Sequence, residues 1–188
     1  MSADYTQLPP DLPIPKDDGA ANHLPGLAVP ALSLPASDGR DLNLAELAAG
    51  RLVAYFYPRT GIPGEPLPDG WDRIPGARGC TPQSCAYRDS LAELEELGAT
   101  VVGVSAQSTR EQAAFVRREH ISFPLLSDPA LRAAEALGLP TFEAAGLRLY
   151  KRLTLIAERA KIVAALYPVF PPDRDATEVI AWLREQRG

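Results

Sequence analysis

The chain has 188 residues, 46% hydrophobic content and a formal net charge of −5, values that fit one compact domain with its own core. Its mild acidity and the lack of any long run of Lys or Arg argue against nucleic-acid and membrane-surface partners. No apolar run approaches the ~18 residues of a membrane-spanning helix, and residues 1–16 have no basic segment followed by an apolar one. We therefore expect a cytoplasmic protein that binds neither nucleic acid nor membrane.

The N-terminal part of the chain predicts an irregular arm followed by a hairpin and a strand. Residues 1–26 are rich in proline and lack apolar periodicity, so we expect an arm that lies over a domain spanning 27–188. Asp38-Gly39 stands between alternating apolar residues, which is a strong signal for a β-hairpin. The apolar run 52–57 is typical of a central strand that is buried on both faces.

A long loop is predicted between this strand and the first cysteine. Residues 59–79 contain prolines and glycines at intervals too short for a regular helix or strand. Loops of this length inside a compact domain are uncommon and tend to be functional or disordered. This one leads directly into the cysteines.

Strand and helix patterns alternate after the loop. The predicted elements are a helix from Pro82 to Gly98, a strand over 100–105, a helix from Thr109 as N-cap to His120, a short strand ending at 125–128, a helix ending at Leu137, strands over 153–157 and 162–167, and a helix over 176–187 opened by Asp173 or Asp175. Helical periodicity, cap residues and continuous apolar runs carry these predictions. The alternation predicts a three-layer α/β domain without repeats or a domain boundary.

The two cysteines, Cys80 and Cys85, are the main chemical signal. Cys80 lies where the loop meets a predicted helix, in which Pro82 is the first residue and Thr81 the N-cap. A thiol at a helix N-terminus faces unpaired N–H groups and the positive end of the helix dipole, which stabilise the nucleophilic thiolate. A lone cysteine is otherwise a small buried apolar residue, and for Cys80 considered alone that alternative stays open.

The spacing of the pair indicates a segment with two conformations. Five residues of an ideal helix rise about 7.5 Å and turn about 140°, which places the two Cα atoms roughly 8 to 9 Å apart. A disulfide requires less than about 7 Å, so bonding would require the first turns of the helix to unwind. A permanent disulfide across so short a loop would gain little stability, and Cys-x-x-Cys is absent. A transient disulfide is the favoured interpretation.

No metal or cofactor is expected. The only histidines, His23 in the arm and His120 near a helix end, have no ligand spacing to either cysteine. No Gly-x-Gly-x-x-Gly motif follows a strand, so the sequence offers no phosphate-binding loop of the dinucleotide type.

Several stretches of the sequence carry a resemblance to a known family. They are Phe56-Tyr57-Pro58, Cys80-Thr81-Pro82-Gln83-Ser84-Cys85 and Tyr87-Arg88-Asp89, followed in the same order by matches at 102–105, 123–128, 152–156 and 167–169. In the family the first three stretches read Phe-Tyr-Pro, Cys-Thr-x-Glu-x-Cys and Phe-Arg-Asp. From about Pro25 onwards the chain resembles the peroxiredoxins, in the group called peroxiredoxin Q or bacterioferritin comigratory protein.

The resemblance implies a thioredoxin-like fold and a thiol peroxidase that reduces hydrogen peroxide and organic hydroperoxides. It implies that Cys80 attacks the peroxide, that Cys85 is the resolving cysteine and that Arg152 lies beside the thiolate. Cys80 would become a sulfenic acid, Cys85 would convert it into a disulfide, and an external dithiol such as thioredoxin would reduce that disulfide. Relatives in this group are often monomers, so a monomer is expected.

Some residues depart from the family pattern around the thiolate. The family keeps Pro-x-x-x-Thr-x-x-Cys, whereas Ala77 stands three residues before Cys80. An insertion near Gly61–Gly76 offers one explanation, in which Thr60 is the displaced counterpart of the family threonine. In the other explanation Thr81 supplies the missing hydroxyl.

Two further positions complete the candidate site. Gln83 replaces the usual glutamate and removes a negative charge near the helix start. Pro58 either shields the thiolate or only ends its strand. We therefore expect Pro58, Thr60 and Thr81 to contact substrate, and Cys80, Cys85 and Arg152 to carry the reaction.

Two other functions use the same cysteine pair. A thiol–disulfide exchanger would act on protein thiols without peroxide. A non-catalytic redox sensor would use oxidation to change a binding surface, for which the long loop and Trp71 are candidate material.

Overall fold

A computed structural model provides the structure and describes residue 5 and residues 7–186. Within this part the backbone forms nine strands and six α-helices. The strands are β1 (Ser33–Pro35), β2 (Asp41–Asn43), β3 (Arg51–Phe56), β4 (Ala99–Ser105), β5 (Leu125–Ser127), β6 (Thr141–Ala144), β7 (Leu147–Tyr150), β8 (Leu153–Glu158) and β9 (Lys161–Leu166). The helices are α1 (Leu44–Leu47), α2 (Cys80–Asp89), α3 (Leu91–Glu96), α4 (Thr109–Glu119), α5 (Arg132–Leu137) and α6 (Asp175–Glu185). The predicted end of the last helix at Arg187, and residues 1–4 and 6 of the predicted arm, lie outside the described residues.

Five of the strands form the central sheet, in the order β5-β4-β3-β8-β9. β3 pairs in parallel with β4 and antiparallel with β8, so the prediction of a central strand is confirmed. Because successive strand residues point to opposite faces, Leu52, Ala54 and Phe56 enter one core while Val53 and Tyr55 enter the other.

Helices cover both faces of this sheet. The core on one face receives side chains from α2, α3, α4 and α6, among them Tyr87, Leu94, Phe115 and Leu183. The core on the other face receives side chains from the β1–β2 hairpin, α1 and α5, among them Leu34, Leu44 and Leu137. The predicted three-layer α/β fold with an N-terminal β-hairpin is confirmed.

Two of the predicted helices have different boundaries. The helix predicted from Pro82 to Gly98 is two helices, α2 and α3, divided at Ser90, whose φ of −103° and ψ of 3° depart from α-helical geometry. The N-cap of α4 is Ser108 and not Thr109, because the Ser108 hydroxyl accepts from the N–H of Glu111 while the Glu111 carboxylate accepts from the N–H of Ser108. This reciprocal pair is a capping box.

The last helix differs at its start, and one hairpin was not predicted. α6 begins at Asp175 with Arg174 as N-cap and no side-chain cap bond, so neither Asp173 nor Asp175 caps it. Asp175 instead points into the core and is fully buried. Strands β6 and β7 pair antiparallel as a separate hairpin around Ala145-Gly146, where both residues have positive φ.

The N-terminal arm lies against the domain. Residues 7–26 form no helix or strand, but Leu24 is fully buried in the core shared with α5. The carboxylate of Asp18 accepts hydrogen bonds of 2.8 Å from Lys151 and of 2.8 Å from Tyr167. These bonds lower the pKa of Asp18 to about 2. The arm is therefore fastened beside the start of β8 and the end of β9.

The loop before α2 packs on the β6–β7 hairpin. Its only regular element is a 3₁₀ turn at Trp71–Arg73. The Trp71 side chain is buried, with its ring centroid 6.2 Å from that of Phe142, and clusters with Ala77 and Leu149. The loop that we expected is thus present and brings Ala77 to the start of α2.

No helix in the described part of the chain is long and apolar enough to cross a bilayer.

Candidate active site

Cys80 is the first residue of α2. The N-cap is Gly79, whose φ of 101° favours glycine, and a Cβ at Gly79 would collide with the side chains of Pro172 and Leu8. The sequence placed the helix start at Pro82, which is instead the third helical residue. Proline is tolerated there because the first N–H groups of a helix have no intrahelical partner. The structure thus places the thiol at the positive end of the helix dipole.

Arg152 lies beside this thiol. Its Nη2 is 3.3 Å from Cys80 Sγ, and both side chains are buried, each with 3% of its residue surface exposed. Cys80 Sγ also lies 3.7 Å from the carbonyl oxygen of Ala77, to which the thiol donates. The structure therefore brings together the two side chains that the sequence assigned to the peroxide step.

The guanidinium of Arg152 is held by acceptors on two sides. Nη2 lies 3.0 to 3.3 Å from the carbonyl oxygens of three consecutive loop residues, Gly76, Ala77 and Arg78. Nη1 donates to Oε1 of Gln83 in a short hydrogen bond. Nε is buried and has no hydrogen-bond partner among the described residues, so one donor of this guanidinium is uncommitted.

A buried carboxylate lies behind Gln83, and the sequence did not predict it. Oδ2 of Asp175 accepts from Gln83 Nε2 at 2.7 Å, from the Thr154 hydroxyl at 2.7 Å and from the Tyr87 hydroxyl at 2.9 Å. Burial raises the pKa of Asp175, while these three bonds and the charge of Arg152 oppose the rise. A continuous buried chain of contacts therefore runs from Asp175 through Gln83 and Arg152 to Cys80.

Cys85 is half-buried on the same helix, and both cysteines are free thiols. Burial raises the pKa of the Cys85 thiol above its ordinary value, while the charge of Arg88 opposes the rise. Since both cysteines lie within α2, a bond between them requires the helix to unwind locally.

Tyr55 of β3 contacts the segment that would unwind. Its hydroxyl donates to Ser84 at 2.9 Å, and its ring stacks on Tyr87 with centroids 4.5 Å apart. Ser84 lies directly before Cys85. Tyr55 therefore stabilises the helical form of α2.

The three residues predicted to contact substrate, Pro58, Thr60 and Thr81, are all buried, but they have different surroundings. Thr81 is the second residue of α2 and is buried next to Cys80. Pro58 is buried two residues after the end of β3. Thr60 is buried, but its N–H and hydroxyl both donate to Oε1 of Gln107, at 2.7 and 3.0 Å. These hydrogen bonds thus attach the start of the loop before α2 to Gln107.

Similarity to known proteins shows which family the chain belongs to. The model of a family described as Redoxin matches residues 24–180. The chain belongs to the Redoxin family, among the peroxiredoxins. A Mycobacterium tuberculosis protein named as a peroxiredoxin is 34% identical over 149 residues, which are 77% of this chain and 85% of the relative. The chloroplastic peroxiredoxin Q of Sedum lineare is 29% identical over 93% of this chain and 86% of its own.

Solved structures give the same result for the fold. The crystal structure of peroxidoxin BcpB from Mycobacterium tuberculosis superposes with a TM-score of 0.71 at 28% identity, covering 88% of this chain and 100% of that one. This confirms the thioredoxin-like peroxiredoxin fold expected from the resemblance. Membership also gives the activity class of this peroxiredoxin, which is that of a thiol peroxidase.

A largely apolar cavity lies next to the guanidinium. It has a volume of about 380 Å³. The segments that line it are the arm at 14–16, the loop at 74–76, Phe142, residues 151–152 and residues 167–169. Because the arm and the loop form two of its walls, the cavity depends on how these two segments pack against the domain.

Proposed function

We propose that the chain reduces hydroperoxides through a Cys80 sulfenic acid and an intramolecular Cys80–Cys85 disulfide, and that an external dithiol such as thioredoxin restores the thiols. The observation that carries this proposal is the 3.3 Å contact between Arg152 Nη2 and Cys80 Sγ at the start of α2. A buried thiol between a helix N-terminus and a guanidinium is suited to react as thiolate.

The first step is nucleophilic displacement at oxygen. The Cys80 thiolate attacks one peroxide oxygen, the S–O bond forms as the O–O bond breaks, and hydroxide or alkoxide leaves with the electron pair. Sulfur is oxidised to a sulfenic acid, and the leaving oxygen takes up a proton from solvent. The fixed charge of Arg152 stabilises the thiolate, and its N–H donors can bind the oxygen on which charge develops. Its uncommitted Nε supports this role.

The second step joins the cysteines. After local unwinding of α2, the Cys85 thiolate attacks the Cys80 sulfenic acid, the S–S bond forms as the S–O bond breaks, and the hydroxide that leaves takes up a proton from solvent to become water. An incoming dithiol then attacks the disulfide and is itself oxidised, which returns both cysteines to thiols. We place this cycle in the cytoplasm, where such dithiols are kept reduced, and in a monomer, because all the groups it uses come from one chain. It uses neither a metal nor an organic cofactor.

The proposed substrates are hydrogen peroxide and organic hydroperoxides. Arg152 lines both the thiol site and the cavity of about 380 Å³. Ile74 and Val169 lie in the cavity wall, so an apolar group bonded to the peroxide would gain from burial there. Thr81 and Pro58 complete the proposed surroundings of the peroxide. Thr60 takes part through the loop that it fastens to Gln107.

Stopped-flow tryptophan fluorescence of the reduced protein mixed with hydrogen peroxide tests the proposal. The matched variants are Cys80→Ser and Cys85→Ser, with a thiol count and mass spectrometry of the products. We expect the unmodified protein to lose two thiols, Cys80→Ser not to react and Cys85→Ser to stop at a trappable sulfenic acid. If the protein reacts with peroxide no faster than an ordinary cysteine does, the peroxidase proposal fails. The redox sensor or the thiol–disulfide exchanger then becomes the better explanation of the cysteine pair.

A further inference from the structure

The side-chain amide of Gln83 bridges Asp175 and Arg152. Asp175 needs the NH₂ end of the amide, and Arg152 needs the oxygen end. Nε2 donates to Asp175 Oδ2, and Oε1 accepts from Arg152 Nη1. An ionised carboxylate can only accept hydrogen bonds, and a guanidinium can only donate them. One orientation of the amide satisfies both partners, and the flipped orientation satisfies neither.

The carboxylate of Asp175 is itself fixed from two other elements. Thr154 of β8 and Tyr87 of α2 both donate to Oδ2, and the residue is fully buried at the start of α6. The titratable and charged groups that face it are Tyr87, Tyr55 and Arg152. Because these neighbours hold Oδ2, the end of the Gln83 amide that faces it is determined as well.

Stability alone does not account for a carboxylate at this position. Burial of an ionised group without a direct ion pair costs free energy. An asparagine of the same shape would still accept from Thr154 and Tyr87 without that cost. Its oxygen would bind Gln83 only as a neutral acceptor, because all three bonds converge on one atom. An asparagine turned to offer its NH₂ group to Gln83 would lose the bonds from Thr154 and Tyr87, so it would hold the Gln83 amide less firmly than the carboxylate does.

We propose that Asp175 is a positioning residue for the peroxide step: its carboxylate orients the Gln83 amide, which then holds the Arg152 guanidinium against Cys80 Sγ. This inference rests on the proposed roles of Cys80 and Arg152. Asp175 touches neither the thiol nor the substrate, and it acts through Gln83.

The test uses three variants in a Cys85→Ser background, in which only the peroxide step occurs. They are Asp175→Asn, Gln83→Glu and the double variant Gln83→Glu/Asp175→Asn. The matched control is Asp128→Asn. Asp128 is also buried and accepts from Tyr150 at 2.6 Å, but it lies in the other core and accepts from the first N–H groups of α5. Each protein is measured for its rate constant with hydrogen peroxide, for the pH profile of Cys80 alkylation by iodoacetamide and for its melting temperature. The titratable and charged groups that face Cys80 are Tyr55, Tyr57 and Arg152, and none of these variants replaces them.

We expect Asp175→Asn to react with peroxide about tenfold more slowly, as for loss of one charge-assisted hydrogen bond, and its alkylation profile to move to higher pH. Its melting temperature should equal or exceed that of the parent. Gln83→Glu should be impaired because it places two carboxylates in contact. The double variant should recover to within about threefold of the parent, since a carboxylate at position 83 accepts from Arg152 in either orientation. Asp128→Asn should melt earlier and react normally.

Two outcomes would overturn the inference. One is a parental rate and alkylation profile in Asp175→Asn. The other is a loss of rate that follows the melting temperature, with no recovery in the double variant. If the Cys85→Ser parent fails to react with peroxide, the proposed function fails instead. The alkylation profile needs no peroxide and still decides whether Asp175 positions Arg152.

Discussion

Arg152 and Cys80 are 72 positions apart in the sequence, yet Nη2 of the one lies 3.3 Å from Sγ of the other. The contact depends on the loop before α2, because the carbonyls of Gly76, Ala77 and Arg78 accept from the same nitrogen. Arg152 therefore links the loop conformation to the environment of the thiol.

Replacement of Arg152 should slow the peroxide step strongly. We expect Arg152→Met to lower the rate constant with hydrogen peroxide about 10²- to 10³-fold, as for removal of a donor to a developing oxyanion. Arg152→Lys keeps the charge but loses the planar fork, so a loss of about tenfold is expected. The rates are measured by stopped flow in the Cys85→Ser background. Arg148→Met, at an exposed position of β7, is the matched control. A normal rate in Arg152→Lys would contradict the role of the fork.

Disulfide formation should depend on pH through Cys85. Burial raises the pKa of this thiol above its ordinary value, which already lies above neutral pH, so the thiol form predominates at neutral pH. The thiolate fraction then rises about tenfold per pH unit, and the closure rate should follow it between about pH 6 and pH 8. Quenched-flow mass spectrometry of the sulfenic acid and the disulfide measures this step. A flat profile would show that unwinding of α2 limits closure.

Loosening α2 should speed disulfide formation. Tyr55→Phe removes the 2.9 Å hydrogen bond to Ser84, which stabilises the helical form by about 1 kcal/mol. If this hydrogen bond must break before α2 unwinds, its removal should accelerate closure about fivefold. The free energy of unfolding should also fall by about 1 kcal/mol. Tyr150→Phe is the matched control, since it deletes a hydroxyl bonded to Asp128 in the other core. An equal acceleration in both variants would sink the explanation.

The sequence was sufficient for the features that depend on local pattern. The apolar run at 52–57 correctly predicted a central strand, and Asp38-Gly39 correctly predicted a hairpin. The cap of α4 was missed because two overlapping capping boxes are present, Ser108 with Glu111 and Thr109 with Gln112. The structure decides between them because the Gln112 amide is buried and donates to Ser105 and the Leu126 carbonyl.

The Asp175 network lay beyond the sequence pattern because a carboxylate at a helix start predicts a cap. The period of α6 carried a contrary signal, since Asp175, Val179 and Leu183 share one helical face and all three are buried. Periodicity does not show which residue forms a hydrogen bond with the Asp175 carboxylate. Gln83 lies on another helix, 92 positions away, and only tertiary packing brings it to the carboxylate.

The cavity beside Arg152 should favour substrates with an apolar group. We expect Ile74→Ser to lower kcat/KM for cumene hydroperoxide about tenfold, because the polar wall loses part of the burial energy of the aromatic ring. The value for hydrogen peroxide should stay within about twofold, since that substrate has no apolar group to bury. Leu147→Ser is the matched control, because Leu147 is 48% exposed and lies outside the cavity. Steady-state assays with a thioredoxin system measure both ratios. If Ile74→Ser slows the two substrates equally, the substitution disturbs the loop around Cys80, and the cavity does not hold the organic part of the substrate.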